Sequence, residues 1–279
     1  MYNVSFPDLG INNLPINKVA FTIGDREIYW YGVIIAAGLV LAVIYAMTVC
    51  KKRFGIDPDK LLNCTIVGLI TAIIGARLYY VAFEWETYSK DPMKIFSINE
   101  GGLAIYGGLI GALIGGLIVA KICRLNIPAV LDVAVLGFLI GQGIGRWGNF
   151  MNQEAFGTPT DLPWGMVSEN TGGVAVHPCF LYESLWCLLG FVLLHFFSKY
   201  FRKYDGQIFL MYLVWYGVER MVVEGLRTDS LMTPIFNLRV SQVLSAALVI
   251  VGLVFLIINF VHKKDTIAVP VNRLERKKA

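Results

Sequence analysis

Two short stretches hold most of the residues that could do chemistry. GRWGNFMNQEAFG, residues 145–157, follows the apolar run AVLDVAVLGFLIGQGIG, and WYGVERMVVEGLR spans residues 215–227. An arginine at membrane depth costs from about 2.5 kcal/mol upward, so it needs a partner or a role. On a helix, Tyr216, Arg220, Glu224 and Arg227 fall at roughly 0°, 40°, 80° and 20° and share one face. That spacing predicts an Arg220–Glu224 pair at i, i+4, with Arg227 about 10 Å further along the axis. In the other stretch Arg146 and Asn149 stand at i, i+3. Asn152 and Glu154 follow, and glycines up to Gly157 permit close backbone approach. Arg77 adds a cation near the end of another apolar run. Guanidinium groups suit bidentate phosphate recognition, and asparagine both donates to and accepts from hydroxyls. The cations outnumber obvious anionic partners such as Glu154 and Glu224, which predicts a phosphoglycerol-sized site open to the outer leaflet. A salt-bridge network that only fixes helix packing remains the alternative.

These residues need elements to position them. The chain has 279 residues, 56% hydrophobic and 16% charged, whereas a soluble domain carries about a quarter charged residues. The reading is all-α, a polytopic membrane protein. Apolar runs long enough to span about 30 Å of hydrocarbon lie near 28–50, 61–83, 103–122, 128–146, 179–198, 206–225 and 239–261. Seven transmembrane helices are therefore expected in one domain, 1–279. Lys51, Lys52, Arg53, Lys60, Lys121, Arg124, Lys199, Arg202, Lys203 and the tail from Lys263 to Lys278 sort to one side, which the positive-inside rule makes cytoplasmic. The N-terminus is then outside and the C-terminus inside. The turn-rich connection 146–178, between the fourth and fifth helices, reads as a small extracytoplasmic cap. Gly107, Gly111 and Gly115 in the third helix and Gly137, Gly141 and Gly145 in the fourth are read as close-packing stripes.

Other chemistries find little support. Cys50, Cys64, Cys123, Cys179 and Cys187 form no C-x-x-C pair, so neither a disulfide framework nor a zinc site is indicated. No metal, nucleotide or flavin motif occurs, and no cofactor or nucleic-acid partner is expected. The first 27 residues lack an apolar signal-peptide core, so the first span is expected to direct insertion. A channel or transporter predicts a polar path through both halves, whereas the titratable groups gather in the outer half. Asp132, at the inner end of the fourth helix, is the main exception and reads as an inner-surface cap.

The segment GRWGNFMNQEAFG resembles the signature G-R-x-G-N-F-x-N-x-E-x-x-G of bacterial prolipoprotein diacylglyceryl transferases. HPCFLYE at 177–183, WYG at 30–32, GARLYY at 75–80 and YGVERMVVEGLR at 216–227 resemble that family's other motifs, in its order. The resemblance implies a seven-helix enzyme of the bacterial cytoplasmic membrane. Its substrates would be phosphatidylglycerol and prolipoprotein signal peptides with a lipobox cysteine, the lipid coming from the bilayer around it. The diacylglyceryl group would pass to that thiol, and glycerol phosphate would leave. Arg146 and Arg220 are implied to handle the phosphate, with Tyr31, Asn149, Glu154, Gly157, Tyr216, Glu224 and Arg227 around them. Arg77, Asn152 and His177 are further substrate-binding candidates. Tyr106 stands where many relatives carry a histidine considered as a general base. Tyrosine, with a pKa near 10, is a poor base at neutral pH, so Tyr106 enters as a catalytic candidate whose hydroxyl would orient the lipid headgroup.

Overall fold

A computed structural model describes residues 2–97, 101–230, 232 and 238–262. The chain divides into two compact units, Met1–Ala46 with Asp132–Ala279, and Met47–Leu131. The fold is mostly helical. Four strands, β1 (Tyr2–Phe6), β2 (Ile11–Ile16), β3 (Val19–Ile23) and β4 (Arg26–Tyr29), precede α1 (Trp30–Phe54). Then follow α2 (Pro58–Phe83), the single turn α3 (Trp85–Tyr88), α4 (Ile105–Ile122), α5 (Ile127–Asn152), α6 (Cys179–Tyr200), α7 (Gln207–Leu226) and α8 (Val240–Val261). Among the described residues six helices, α1, α2, α4, α5, α6 and α8, are long and apolar enough to cross a membrane. The protein is a multi-pass membrane protein. The seventh expected span, α7, forms as a helix but carries Glu219, Arg220 and Glu224 within its length.

Two sequence expectations need correction. The chain is not purely helical: β1 pairs with β2 and β3 with β4 as antiparallel hairpins. Gly24, with φ of +59°, turns the second hairpin with Asp25, and a Gly-Asp pair between extended runs is a hairpin signal. The fourth expected span does not end at residue 146, because α5 continues through Asn152. Arg146 and Asn149 are therefore helical, and the irregular connection begins only at Gln153. The tail from Lys263 lies outside the described residues, as do residues 231 and 233–237 of the 226–238 connection.

In the Met47–Leu131 unit, α2 starts with Pro58 at its first turn, and the Asp57 side chain accepts from the Asp59 and Lys60 N–H groups. This satisfies two otherwise orphaned donors. The α4 glycine stripe packs on α2. A β-carbon on Gly75 would stand 3.1 Å from the Cα of Gly111, and one on Gly115 would stand 2.8 Å from Thr71 Cγ2. Contacts this close need a missing side chain.

In the other unit the α5 stripe faces α1: a β-carbon on Gly137 would lie 3.3 Å from the Ala42 carbonyl oxygen. Helices α5, α6 and α7 are cross-linked by side chains. Trp147 donates to Ser184 Oγ (3.1 Å), which donates to the Gly143 carbonyl (2.8 Å). Trp186 and Trp215 stack at 4.4 Å, each indole N–H donating to the other residue's carbonyl at 3.1 Å. Tyr212 donates to Gln142 Oε1 at 3.1 Å. Above the helix ends Val4, Ile16, Phe150, Met166, Val176 and Phe180 form a small apolar core. Ser5 and Val167 exchange backbone hydrogen bonds at 2.8 Å, so the first hairpin and the 153–178 connection fold as one layer.

Candidate active site

The α5–α6–α7 cross-links bring Arg146, Glu183 and Arg220 together. Glu183 Oε2 accepts an ion pair from Arg146 Nη2 and another from Arg220 Nη1 at 3.2 Å, and Glu183 Oε1 lies 4.0 Å from Arg227 Nη1. Arg220 also pairs with Glu224 at 2.6 Å, so the i, i+4 pair expected from the sequence is present. Side-chain exposure is 21% for Arg146, 14% for Arg220 and 13% for Arg227, against 1% for Glu183. The guanidinium groups are thus partly open while the carboxylate that gathers them is closed in.

A polar chain leads outward from Arg146. Arg146 Nη1 donates to Asn149 Oδ1 (3.4 Å), and Asn149 Nδ2 donates to Glu154 Oε1 (2.9 Å), which Asn152 also reaches at 3.5 Å. Glu154 can turn back on α5 because Gln153 and Ala155 adopt φ of +52° and +58°. Left-handed backbone in non-glycine residues is uncommon and carries a cost that the surrounding structure must hold. Here the Asn170 side chain donates to the Gln153 carbonyl (2.9 Å), while Gln153 itself is buried.

Gly157 and His177 hold the connection against α6 and α7. The Gly157 N–H donates to the His177 carbonyl (2.9 Å) and the Thr158 N–H to the Leu226 carbonyl (2.8 Å). A β-carbon on Gly157 would stand 2.7 Å from His177 Cβ and 3.0 Å from Cys179 Sγ, so the strand-like approach depends on glycine. The His177 ring meets the Tyr182 hydroxyl at 3.2 Å, and Trp164 donates to the same hydroxyl at 2.7 Å. Arg227 forms a bidentate pair with Asp229 (2.9 and 2.7 Å). Those hydrogen bonds hold the Asp229 carboxyl below the usual carboxylate range. Tyr31 lies over Gly148, where a β-carbon would meet its Cδ2 at 2.9 Å, and Tyr216 stacks on Tyr212 at 5.7 Å.

Two expected site residues belong to the Met47–Leu131 unit. Tyr106 is half-buried in the first turn of α4. Arg77 is buried and directs its guanidinium group at the carbonyls of Lys94, Ile95, Ser97, Gly101 and Gly102. Five carbonyls match the five N–H groups of a guanidinium, so Arg77 organises the α3–α4 connection.

Sequence reasoning missed Glu183, Glu219 and Asp229, and it overstated the cationic excess. Glu183 was legible in part: it sits between Cys179 and Cys187 on the buried stripe of α6, where a carboxylate demands a partner. Glu219 is 4% exposed, and neither of its carboxylate oxygens has a hydrogen-bond partner.

The comparisons with known proteins agree with one another. The family model for prolipoprotein diacylglyceryl transferases matches residues 18–258. The phosphatidylglycerol–prolipoprotein diacylglyceryl transferase of Finegoldia magna is 46% identical over 252 residues, covering 90% of this chain and 98% of that protein. Proteins of the same name from Clostridioides difficile and Bacillus mycoides are 44% and 43% identical, covering 86% and 88% of this chain and 94% and 92% of their own lengths. With the match running through the arginine-bearing helices and the connection between them, the chain belongs to the prolipoprotein diacylglyceryl transferase family.

Proposed function

We infer that this protein transfers the diacylglyceryl group of phosphatidylglycerol to a cysteine thiol of prolipoproteins, the first step of bacterial lipoprotein maturation, and that the arginine cluster on α5, α6 and α7 is where it does so. The supporting observation is the convergence of two partly open guanidinium groups, Arg146 and Arg220, on a single carboxylate oxygen. A phosphate oxygen in that place would meet the same two donors.

The chemistry explains why such donors are needed. A cysteine thiol with a pKa near 8.5 is partly thiolate at neutral pH, and adjacent arginines raise that fraction. Attack on the glycerol carbon breaks its bond to the phosphate oxygen. A diester becomes a monoester with additional negative charge, and Arg146 and Arg220 stabilise that charge in a low-dielectric setting. Asn149, Asn152 and Glu154 offer hydrogen bonds to the glycerol hydroxyls. Arg227, Tyr216 and Tyr31 border this group, Glu224 orients Arg220, and Gly157 and His177 hold the covering connection.

We place all seven long helices across the membrane. With 20 residues α7 is about 30 Å long, it packs between α6 and α8, and its Glu219 and Glu224 are buried within the protein. The basic inner loops put the C-terminus in the cytoplasm, and the 153–178 connection forms a small cap over the outer ends of α5, α6 and α7.

The test is incubation of the purified protein with acyl-labelled phosphatidylglycerol and a lipobox peptide. Label should join the peptide through a thioether, with one glycerol phosphate released per peptide, and a Cys→Ser peptide should stay unmodified. A folded protein that modifies neither peptide would overturn the assignment.

A further inference from the structure

The charges of the cluster leave no room for an added anion. Arg146, Arg220 and Arg227 are ion-paired with Glu183, Glu224 and Asp229, so three guanidinium groups already meet three carboxylates. Glu183 Oε2 occupies the position between Arg146 and Arg220, while Glu183 Oε1 has no hydrogen-bond partner. A phosphodiester gripped by both arginines competes for the place of Oε2. Two anions cannot share it without a proton, because like charges at this distance in a low-dielectric site repel strongly.

Resting on the transferase reading, we propose that the lipid phosphate displaces Glu183 from Arg146 and Arg220, and that the displaced carboxylate takes the proton of the substrate thiol. Lipid arrival removes the cations that hold Glu183 charged and sets an anion beside it, so the base is created by the substrate it serves. With the peptide docked before the lipid displaces Glu183, the S–H proton passes to a Glu183 oxygen and the sulfur electron pair forms the bond to the glycerol carbon. The bond from that carbon to the phosphate-ester oxygen breaks, and its electron pair leaves with glycerol phosphate. When the product departs, the arginines close on Glu183 and its proton passes to the product or to water.

The groups facing Glu183 support this order of events. From α5 it meets Arg146, from α7 Tyr216, Glu219 and Arg220, beyond α7 Arg227, and on its own helix the buried thiols of Cys179 and Cys187. Glu224 is held by Arg220, Asp229 by Arg227, and Glu154 by two asparagine amides. Glu219 has neither oxygen partnered, but both are enclosed.

The experiment uses the full chain in phosphatidylcholine nanodiscs. Dihexanoyl phosphatidylglycerol is titrated by calorimetry at pH 7, without peptide, in buffers of different ionisation enthalpy. Wild type should take up about one proton per lipid bound, because with no thiol in place the displaced carboxylate takes its proton from water, and Glu183→Gln should bind the lipid at least as well with no uptake. With a lipobox peptide added, Glu183→Gln should transfer about 10² to 10⁴ slower. Its rate should climb about tenfold per pH unit toward the thiol pKa near 8.5, since it must wait for free thiolate. Wild-type binding without proton uptake overturns the proposal even if the variant does not fold. Uptake that persists in Glu183→Gln, or a variant rate within about threefold of wild type, also overturns it. Failure of wild type to transfer lipid at all sinks the transferase reading instead, which keeps the two outcomes distinct.

Discussion

Two buried clusters of arginine and carboxylate, about 21 Å apart along α5 by helical rise, use the same ingredients to different ends. At one, Arg202 reaches Asp132 at 3.5 Å and Asp205 at 3.4 Å, with Arg202 and Asp132 fully enclosed. Asp132 also accepts the Gly206 and Phe209 N–H groups at 2.8 Å each, so the aspartate read as an inner-surface cap is instead a buried cap on the first turn of α7. Its negative charge suits the positive end of that helix. At the other cluster Glu183 gathers three arginines that each retain some exposure. A carboxylate saturated by backbone donors and closed from solvent fixes a helix. One that holds partly open cations by ion pairs alone can give them up to a ligand.

Breaking the closed cluster should have the largest effect, and on stability. Asp132→Ala leaves a buried arginine short of a partner and uncaps α7, which should cost about 3–5 kcal/mol. Thermal unfolding of the purified variant measures this. Turnover per folded molecule should stay near wild type, and a stable but inactive variant would erase the distinction between the clusters.

At the open cluster the loss should fall on turnover. Arg146→Lys and Arg220→Lys keep the charge but lose the planar fork. Each should slow transfer by at least about tenfold, equivalent to roughly 1.4 kcal/mol of transition-state stabilisation, with little shift in unfolding temperature. Wild-type rates in both folded variants would reduce the open cluster to packing, like its counterpart.

Gly157→Ala probes the connection that covers the open cluster. The added methyl group must displace His177 and Cys179, at an expected cost of about 1 kcal/mol. Transfer should fall more than unfolding temperature does, because the strain sits at the site. An unchanged rate would mean that the covering layer does not position the chemistry.

The smallest effect belongs to Asp229, whose side chain is 51% exposed. Its carboxyl is held below the usual range by Arg227, so its stabilisation is complete above the unfolded-state value of about 3.9. The stabilisation is lost as pH falls through the lower folded value. Solvent screening limits it to about 0.5 kcal/mol or less. The stability difference between wild type and Asp229→Asn should be flat from pH 5 to 8 and vanish only below about 4. A difference that grows on acidification would mean that Arg227 depends on another carboxylate.

Much of this was legible in the sequence because it is local. Membrane helices announce themselves by length and apolarity, and the Arg220–Glu224 pair follows from one helical turn. The glycine stripes of α4 and α5 follow from four-residue spacing. Misreadings arose where a local signal was ambiguous or overlooked. Arg146, Asn149 and Asn152 looked like the start of a loop because polar residues followed an apolar run, yet they extend α5 by nearly two turns. The Gly24–Asp25 hairpin carried its signal within two residues and was passed over in favour of the spans.

By itself the sequence determined a helical membrane protein of this transferase family, with arginines at defined helix faces. Helical periodicity and the cost of bare charge in hydrocarbon act within a single segment. Only the tertiary structure decided which carboxylate those arginines meet. Glu183 lies 37 residues from both Arg146 and Arg220 in sequence, and no periodicity links them. Their meeting depends on how the Trp147–Ser184, Trp186–Trp215 and Tyr212–Gln142 contacts set three helices against one another. Within the Met47–Leu131 unit, tertiary structure likewise decided that Arg77 meets five carbonyls, because a buried guanidinium takes whatever acceptors the fold brings within reach.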